Sequence, residues 1–256
     1  MDEIDPGNPT AIPVLPYERA PIPPPVVAVP PRGRWVLTLL TVGTTALAAA
    51  MYVTGGTTLL EAVSFVTGAV CVWLTVRESV WNFPISLVNV ATFAVVFFQA
   101  RLFADASLQV VYVALTLVGW YLWLYGGERH TALRVKRVGR AESIGVAVAG
   151  VVMTLGLWGL LRWVNGSATF WDALTTSLSL CAQWLLNRKR LENWYYWIAA
   201  DVIYIPLYAY KHLYLTSLLY ATFLGMCLVG VASWRATWRV NRAVAAPAAE
   251  TMEAAA

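Results

Sequence analysis

A chain of 256 residues that is 59% hydrophobic and only 12% charged lacks the polar surface of a soluble domain, where about a quarter of residues carry charge. A mean hydropathy of +0.61 and repeated apolar runs of spanning length indicate an all-α integral membrane protein. The net charge of +4 sits in short loops between those runs, which argues for membrane topology and against a nucleic-acid partner.

Residues 1–34 hold ten of the thirteen prolines, including "PIPPPVVAVPP", so a disordered, extended tail is expected there. No basic n-region precedes a short apolar run, so no cleaved signal peptide is expected. Eight apolar segments follow, at about 35–53, 59–76, 80–98, 107–125, 142–164, 170–187, 194–210 and 214–233. Each is long enough to cross about 30 Å of hydrocarbon as a helix. An Ala-rich stretch, 243–256, is expected to be a second disordered tail. With the N-terminus in the cytoplasm, fifteen Lys and Arg residues fall inside and only Arg101, Arg162 and Lys211 fall outside. That asymmetry predicts that both termini are cytoplasmic, in a multi-pass protein of the cell's inner (plasma) membrane.

Cys71, Cys181 and Cys227 lie singly in apolar runs, and His130 and His212 lie at loop positions. They predict no disulfide framework, no metal site and no cofactor.

An internal repeat is visible. "VWLTVR" (72–77) aligns with "QWLLNR" (183–188), "RLFADASLQ" (101–109) with "HLYLTSLLY" (212–220), and Gly119 and Trp123 with Gly230 and Trp234. Segments two to four, over 59–125, therefore match segments six to eight, over 170–234. A repeat of three helices would emerge inverted, and the linking helix 142–164 restores its direction. The expected architecture is 1+(3+1+3): an extra helix over 35–53 and two parallel triple-helix repeats with a substrate between them.

Four segments carry polar stripes at helical spacing. Segment three has Asn82, Ser86, Asn89, Thr92 and Gln99, and segment four has Gln109, Tyr112 and Thr116. Segment six has Asp172, Thr176, Ser179, Gln183 and Asn187, and segment seven has Trp194, Trp197, Asp201, Tyr204 and Tyr208. A carboxylate at mid-helix costs about 2.5–3.5 kcal/mol on insertion scales, so Asp201 should face a cavity or a partner helix. Polar residues also glue membrane helices together, and Trp and Tyr at segment ends also form interfacial belts. A chamber of rings with one carboxylate suits a flat, cationic or electron-poor ring, and its amides and hydroxyls suit a polyol such as ribose. An intramembrane enzyme is disfavoured, because no Ser/His or metal-ligand constellation is present and the acids are scattered over several helices.

"VWNFPISLVN", "RLFADASLQVVY", "GWYLWLYGG" and "ENWYYWI", in that order, resemble the PnuC family of vitamin transporters from about residue 59 to 234. The resemblance implies a fold similar to full-length SWEET sugar transporters. It also implies uptake of nicotinamide riboside by facilitated diffusion, with trapping by a cytoplasmic riboside kinase. Relatives in that family move riboflavin or thiamine, and coupling to protons through Asp201 is a further alternative. The family's Trp-x-x-Trp falls on Trp194 and Trp197, preceded by Asn193. The residues expected to contact the substrate are Asn89, Gln99, Gln109, Tyr112, Gln183, Asn193, Trp194, Trp197, Asp201, Tyr204 and Tyr208. The expected partners are the small-molecule substrate and the lipid bilayer, and association into a homo-oligomer stays open.

Overall fold

The computed structural model describes residues 27–99, 103–127, 130–163, 169–210 and 214–253. They form eight α-helices: α1 (Pro31–Val53), α2 (Leu59–Val76), α3 (Asn82–Gln99), α4 (Phe103–Tyr125), α5 (Arg140–Trp163), α6 (Thr169–Asn187), α7 (Asn193–Tyr210) and α8 (Tyr214–Glu253). No β-strand occurs among the described residues. Five of the helices contain a stretch long and apolar enough to cross a membrane: α1, α2, α5, Leu108–Tyr125 of α4 and Ser217–Ala243 of α8. A shorter apolar stretch, Asn82–Val96, lies in α3. Val148, Val151, Val152 and Leu155 of α5 are exposed, an outer surface suited to acyl chains rather than water. Exposed Trp35 and Trp81 mark one end of the bundle and exposed Trp163 and Trp171 the other, as interfacial belts do.

Two boundaries differ from the sequence expectation. Helix α1 begins at Pro31, inside the expected tail, because proline is well suited to a helix's first turn, where its missing N–H is not needed. Most of that tail, residues 1–26, lies outside the described residues. Helix α8 runs through Glu253, so residues 243–253 continue a helix instead of starting a disordered tail. Alanine has the highest helix propensity, which explains the continuation.

Short connections make chain neighbours pack antiparallel: α1 on α2, α2 on α3, α3 on α4, α5 on α6, α6 on α7 and α7 on α8. Helix α8 also packs on α1 and α2, and α4 on α6. Two hydrogen bonds between the two halves are related by a shift of 111 residues, which is also the separation of Glu78 and Lys189. The indole N–H of Trp123 donates to the carbonyl of Leu186 at 3.0 Å, and that of Trp234 donates to the carbonyl of Thr75 at 3.1 Å. Adding that shift to one bond gives the other, with the halves exchanged. Within the halves, Phe83 meets Trp123 edge-on at 5.1 Å, and Trp194 meets Trp234 edge-on at 5.5 Å.

Glycines admit these rings. A Cβ on Gly119 would lie 2.3 Å from Oδ1 of Asn187 and 2.7 Å from the Phe83 ring, and one on Gly230 would lie 2.6 Å from the Trp194 ring. Asn187 cannot swing away cheaply, because its Nδ2 donates to the Leu115 carbonyl at 2.8 Å. Gly119→Ala should therefore destabilise the bundle by about 1–3 kcal/mol, the usual range for overpacking. A thermal melt in detergent checks this, and an unchanged midpoint would show that α4 shifts freely.

The two halves are closed by a matched pair of turns. Glu78 and Lys189 follow α2 and α6 with φ of 54° and 48°, the left-handed conformation that usually selects glycine. In each turn the next residue's N–H reaches back across the helix end, Ser79 to Leu74 at 2.9 Å and Arg190 to Leu185 at 2.8 Å. A left-handed non-glycine residue costs about 1–2 kcal/mol. The side chains show what the turns provide: Lys189 Nζ donates to Glu78 Oε2 at 3.1 Å, with both groups buried. The ammonium also sits 4.4 Å from the centre of the Trp123 ring. Burial pushes the Lys189 pKa down, and Glu78 acts against that shift.

Candidate substrate chamber

Helix α7 presents one stripe that meets different surroundings along its length. Asn193 is fully buried at its start, with Nδ2 donating to the Arg190 carbonyl at 2.6 Å. Trp194, 1% exposed, is enclosed in the core against Trp234 and Gly230, and its indole N–H has no protein partner. Trp197 is half-buried against the same core. From Asp201 onward the stripe enters a polar and aromatic region. Asp201 is 5% exposed, and the Cys227 thiol donates to its Oδ2 at 3.6 Å.

One turn further, three tyrosines gather. Tyr204 stacks on Tyr208 with centroids 5.7 Å apart, and Tyr208 stacks on Tyr220 of α8 at 5.2 Å. Tyr204 and Tyr220 are 4.5 Å apart. Helix α6 brings hydroxyls beside these rings, Thr175 next to Tyr204 and Ser179 next to Tyr112 of α4. Asp172 and Asp201 both act electrostatically on Tyr204. All four tyrosines are only partly buried. The ionic pairs among the described residues join loops and helix ends at the cation-rich end, away from these rings.

Phe223 of α8, which meets Tyr220 edge-on at 6.0 Å, carries the cluster up to the first half. A Cβ on Gly68 would lie 3.5 Å from Phe223 and 3.6 Å from Nδ2 of Asn89. Asn89 is committed to α2, donating to the Ser64 carbonyl at 2.7 Å and to Thr67 Oγ1 at 2.9 Å.

The structure thus brings Asp201, Tyr204, Tyr208 and Tyr112 together, with Asn89 on the facing wall and half-buried Gln109 three residues before Tyr112 on α4. Gln183 lies closer to the cation-rich end, its Nε2 donating to Asn187 Oδ1 at 3.0 Å. Four residues stand apart from the cluster. Gln99 is exposed at the last position of α3, Asn193 and Trp194 belong to the packed core, and Trp197 packs against it. Tyr220, Thr175 and Cys227 join the cluster without having been singled out. The repeat alignment pointed to one of them, since it sets Tyr220 opposite Gln109.

No group of three or more His, Cys, Asp or Glu suited to a metal ion occurs among the described residues. What the cluster offers is stacked ring faces, two carboxylates and hydroxyls, a setting for a planar cation.

Residues 58–236 match the family described as "Nicotinamide mononucleotide transporter". The chain is 30% identical over 191 residues to the "Nicotinamide riboside transporter PnuC" of Escherichia coli (strain K12), covering 64% of this chain and 80% of that protein. It is 25% identical over 179 residues to the "Riboflavin/roseoflavin transporter RibM" of Streptomyces davaonensis, covering 68% and 82%. The crystal structure of the vitamin B3 transporter PnuC superimposes with a TM-score of 0.66 at 24% identity, over 80% of this chain and 92% of that one, which supports the fold. The chain is a multi-pass membrane protein and belongs to the PnuC family of vitamin transporters.

Proposed function

We propose that the protein takes up nicotinamide riboside by facilitated diffusion, and that a cytoplasmic riboside kinase traps the product by phosphorylation. The observation that carries this reading is the tyrosine stack beside Asp201 and Asp172. A pyridinium ring carries the positive charge that such rings and carboxylates favour. The side-chain amides of Asn89 and Gln109 suit the ribose. A 5′-phosphate would bring a dianion close to the Asp201 carboxylate, so the riboside fits better than its mononucleotide. The repeat correspondences support two triple-helix units related by an axis along the membrane normal, which rock against each other.

Proteoliposomes without any ion gradient test the mode of transport. Labelled nicotinamide riboside should equilibrate across the membrane and stop there. Accumulation that requires a proton gradient would replace the uniporter by the symporter. The likeness to RibM favours one second reading, a riboflavin carrier on the same scaffold. The isoalloxazine ring of riboflavin also stacks on tyrosine, but it is uncharged and would leave Asp201 without an ionic partner.

We also infer that the end of the bundle bearing the loops 77–81, 126–139 and 188–192 faces the cytoplasm, with both termini on that side. The support is the distribution of Lys and Arg, fifteen on that side against three on the other. In intact cells, Ala132→Cys should resist a membrane-impermeant thiol reagent and react once the cells are opened. Labelling of intact cells would invert the topology.

A further inference from the structure

Helix α1 precedes the family match, which begins at residue 58, yet it packs on α2 as α5 packs on α6. The two packings differ at their cation-rich ends. In the second half, Arg188 lies 4.4 Å over the Trp184 ring, and its guanidinium is 3.9 Å from Glu142, near the start of α5. Arg190 also reaches Glu142, at 2.8 Å. The equivalents in the first half, under the same shift, are Arg77 and Trp73, with Arg77 lying 4.6 Å over that ring. Here α1 supplies no carboxylate. It supplies Pro31 where α5 has Glu142, and a second cation, Arg34. Arg34 donates from Nε to the Val29 carbonyl at 3.2 Å. Among the described residues no Asp or Glu pairs with either guanidinium.

At the position equivalent to the Glu142 carboxylate there is a cavity of about 400 Å³, lined by Pro31, Arg34, Trp35, Thr38, Trp73 and Arg77. Its lining combines two arginines with an apolar wall of indole and aliphatic carbon. Trp35 is 73% exposed, at the level where a tryptophan marks the bilayer interface.

We propose that this cavity binds a phosphate-bearing anion, held by Arg34 and Arg77. A phosphate accepts hydrogen bonds from two guanidinium groups, and among the described residues no carboxylate offsets the charge of either arginine. The apolar wall beside an exposed tryptophan suits an anion attached to acyl chains, so an anionic phospholipid headgroup is the favoured source. The occupant would tie α1 to α2 in the way that Glu142 ties α5 to α6. The site lies apart from the substrate chamber, at the opposite end of α2 from its capped N-terminus at Thr58.

The test uses the full chain in detergent. Its thermal midpoint is titrated with phosphatidylglycerol, with phosphatidylcholine and with inorganic phosphate. Phosphatidylglycerol should raise the midpoint above the level reached with phosphatidylcholine. Arg34→Gln and Arg77→Gln should each weaken that response about fivefold, the factor for one basic contact with an anionic lipid surface. Arg188→Gln, which removes a guanidinium already facing Glu142, should respond like the wild type. Thr38→Trp fills the cavity and leaves both cations in place, so it should lose the response even if a glutamine variant fails to fold. Native mass spectrometry should show the wild type retaining phosphatidylglycerol and Thr38→Trp releasing it. An effect of phosphatidylglycerol alone assigns the site to lipid, and an equal effect of inorganic phosphate assigns it to the free anion. Wild-type midpoints that do not distinguish phosphatidylglycerol from phosphatidylcholine or from phosphate-free buffer would overturn the proposal. So would Arg34, Arg77 and Thr38 variants that respond like the wild type.

Discussion

Glu78→Gln should destabilise the protein by about 3–5 kcal/mol, the usual cost of leaving a buried charge without its partner. The glutamine keeps the shape of the turn and an acceptor oxygen, but Lys189 Nζ would lie buried beside the Trp123 ring with no counter-charge. Burial already holds the Lys189 pKa below 10.5, and losing Glu78 removes the influence that raises it. In that variant the unfolded chain binds the Lys189 proton more tightly than the folded one does. Stability should therefore rise with pH, through the lowered folded value and towards 10.5, and the deficit should be largest near neutrality. The double replacement Glu78→Leu with Lys189→Met should recover most of the loss, because two apolar side chains leave no charge to solvate. Denaturation midpoints of the three variants across pH check this. A Glu78→Gln protein as stable as the wild type would mean that water reaches the pair.

The second large effect concerns transport. Asp201→Asn keeps the shape and the contact with Cys227 but removes the charge, and Asp201→Ala removes both. If the carboxylate pairs with the pyridinium, both variants should lose nicotinamide riboside uptake by about 10- to 100-fold, the range for a hydrogen bond or contact to a charged group. A hydrogen bond to ribose would instead let Asn survive and Ala fail. Normal transport in both, with only the thermal midpoint altered, would make Asp201 a structural link between α7 and α8.

The helices and their order were legible because each span is an apolar run bounded by charged or Pro- and Gly-containing loops. The repeat was legible because three motifs share one offset, and the exchanged indole bonds of Trp123 and Trp234 use that same offset. Helical spacing also placed Trp194, Asp201, Tyr204 and Tyr208 on one face of α7. Spacing alone does not say what that face meets at each depth. At the cation-rich end it meets Gly230 and Trp234, which enclose Trp194, and only from Asp201 onward does it meet the polar side of α6. Tyr220 escaped attention because its neighbours in sequence are apolar and it belongs to no polar stripe. The left-handed turns were hidden for a different reason. Glycine normally announces them, and here Glu78 and Lys189 occupy them because the two side chains meet across the halves.

The central claim is that the tyrosine–carboxylate cluster selects a cationic riboside that carries no phosphate. A side-by-side titration of the purified protein with nicotinamide riboside, nicotinamide mononucleotide, riboflavin and thiamine tests it most directly. Nicotinamide riboside should bind tightest of the four, and Tyr204→Ala or Asp201→Asn should abolish that preference. Equal or tighter binding of the mononucleotide or of riboflavin, unaffected by either substitution, would contradict the account.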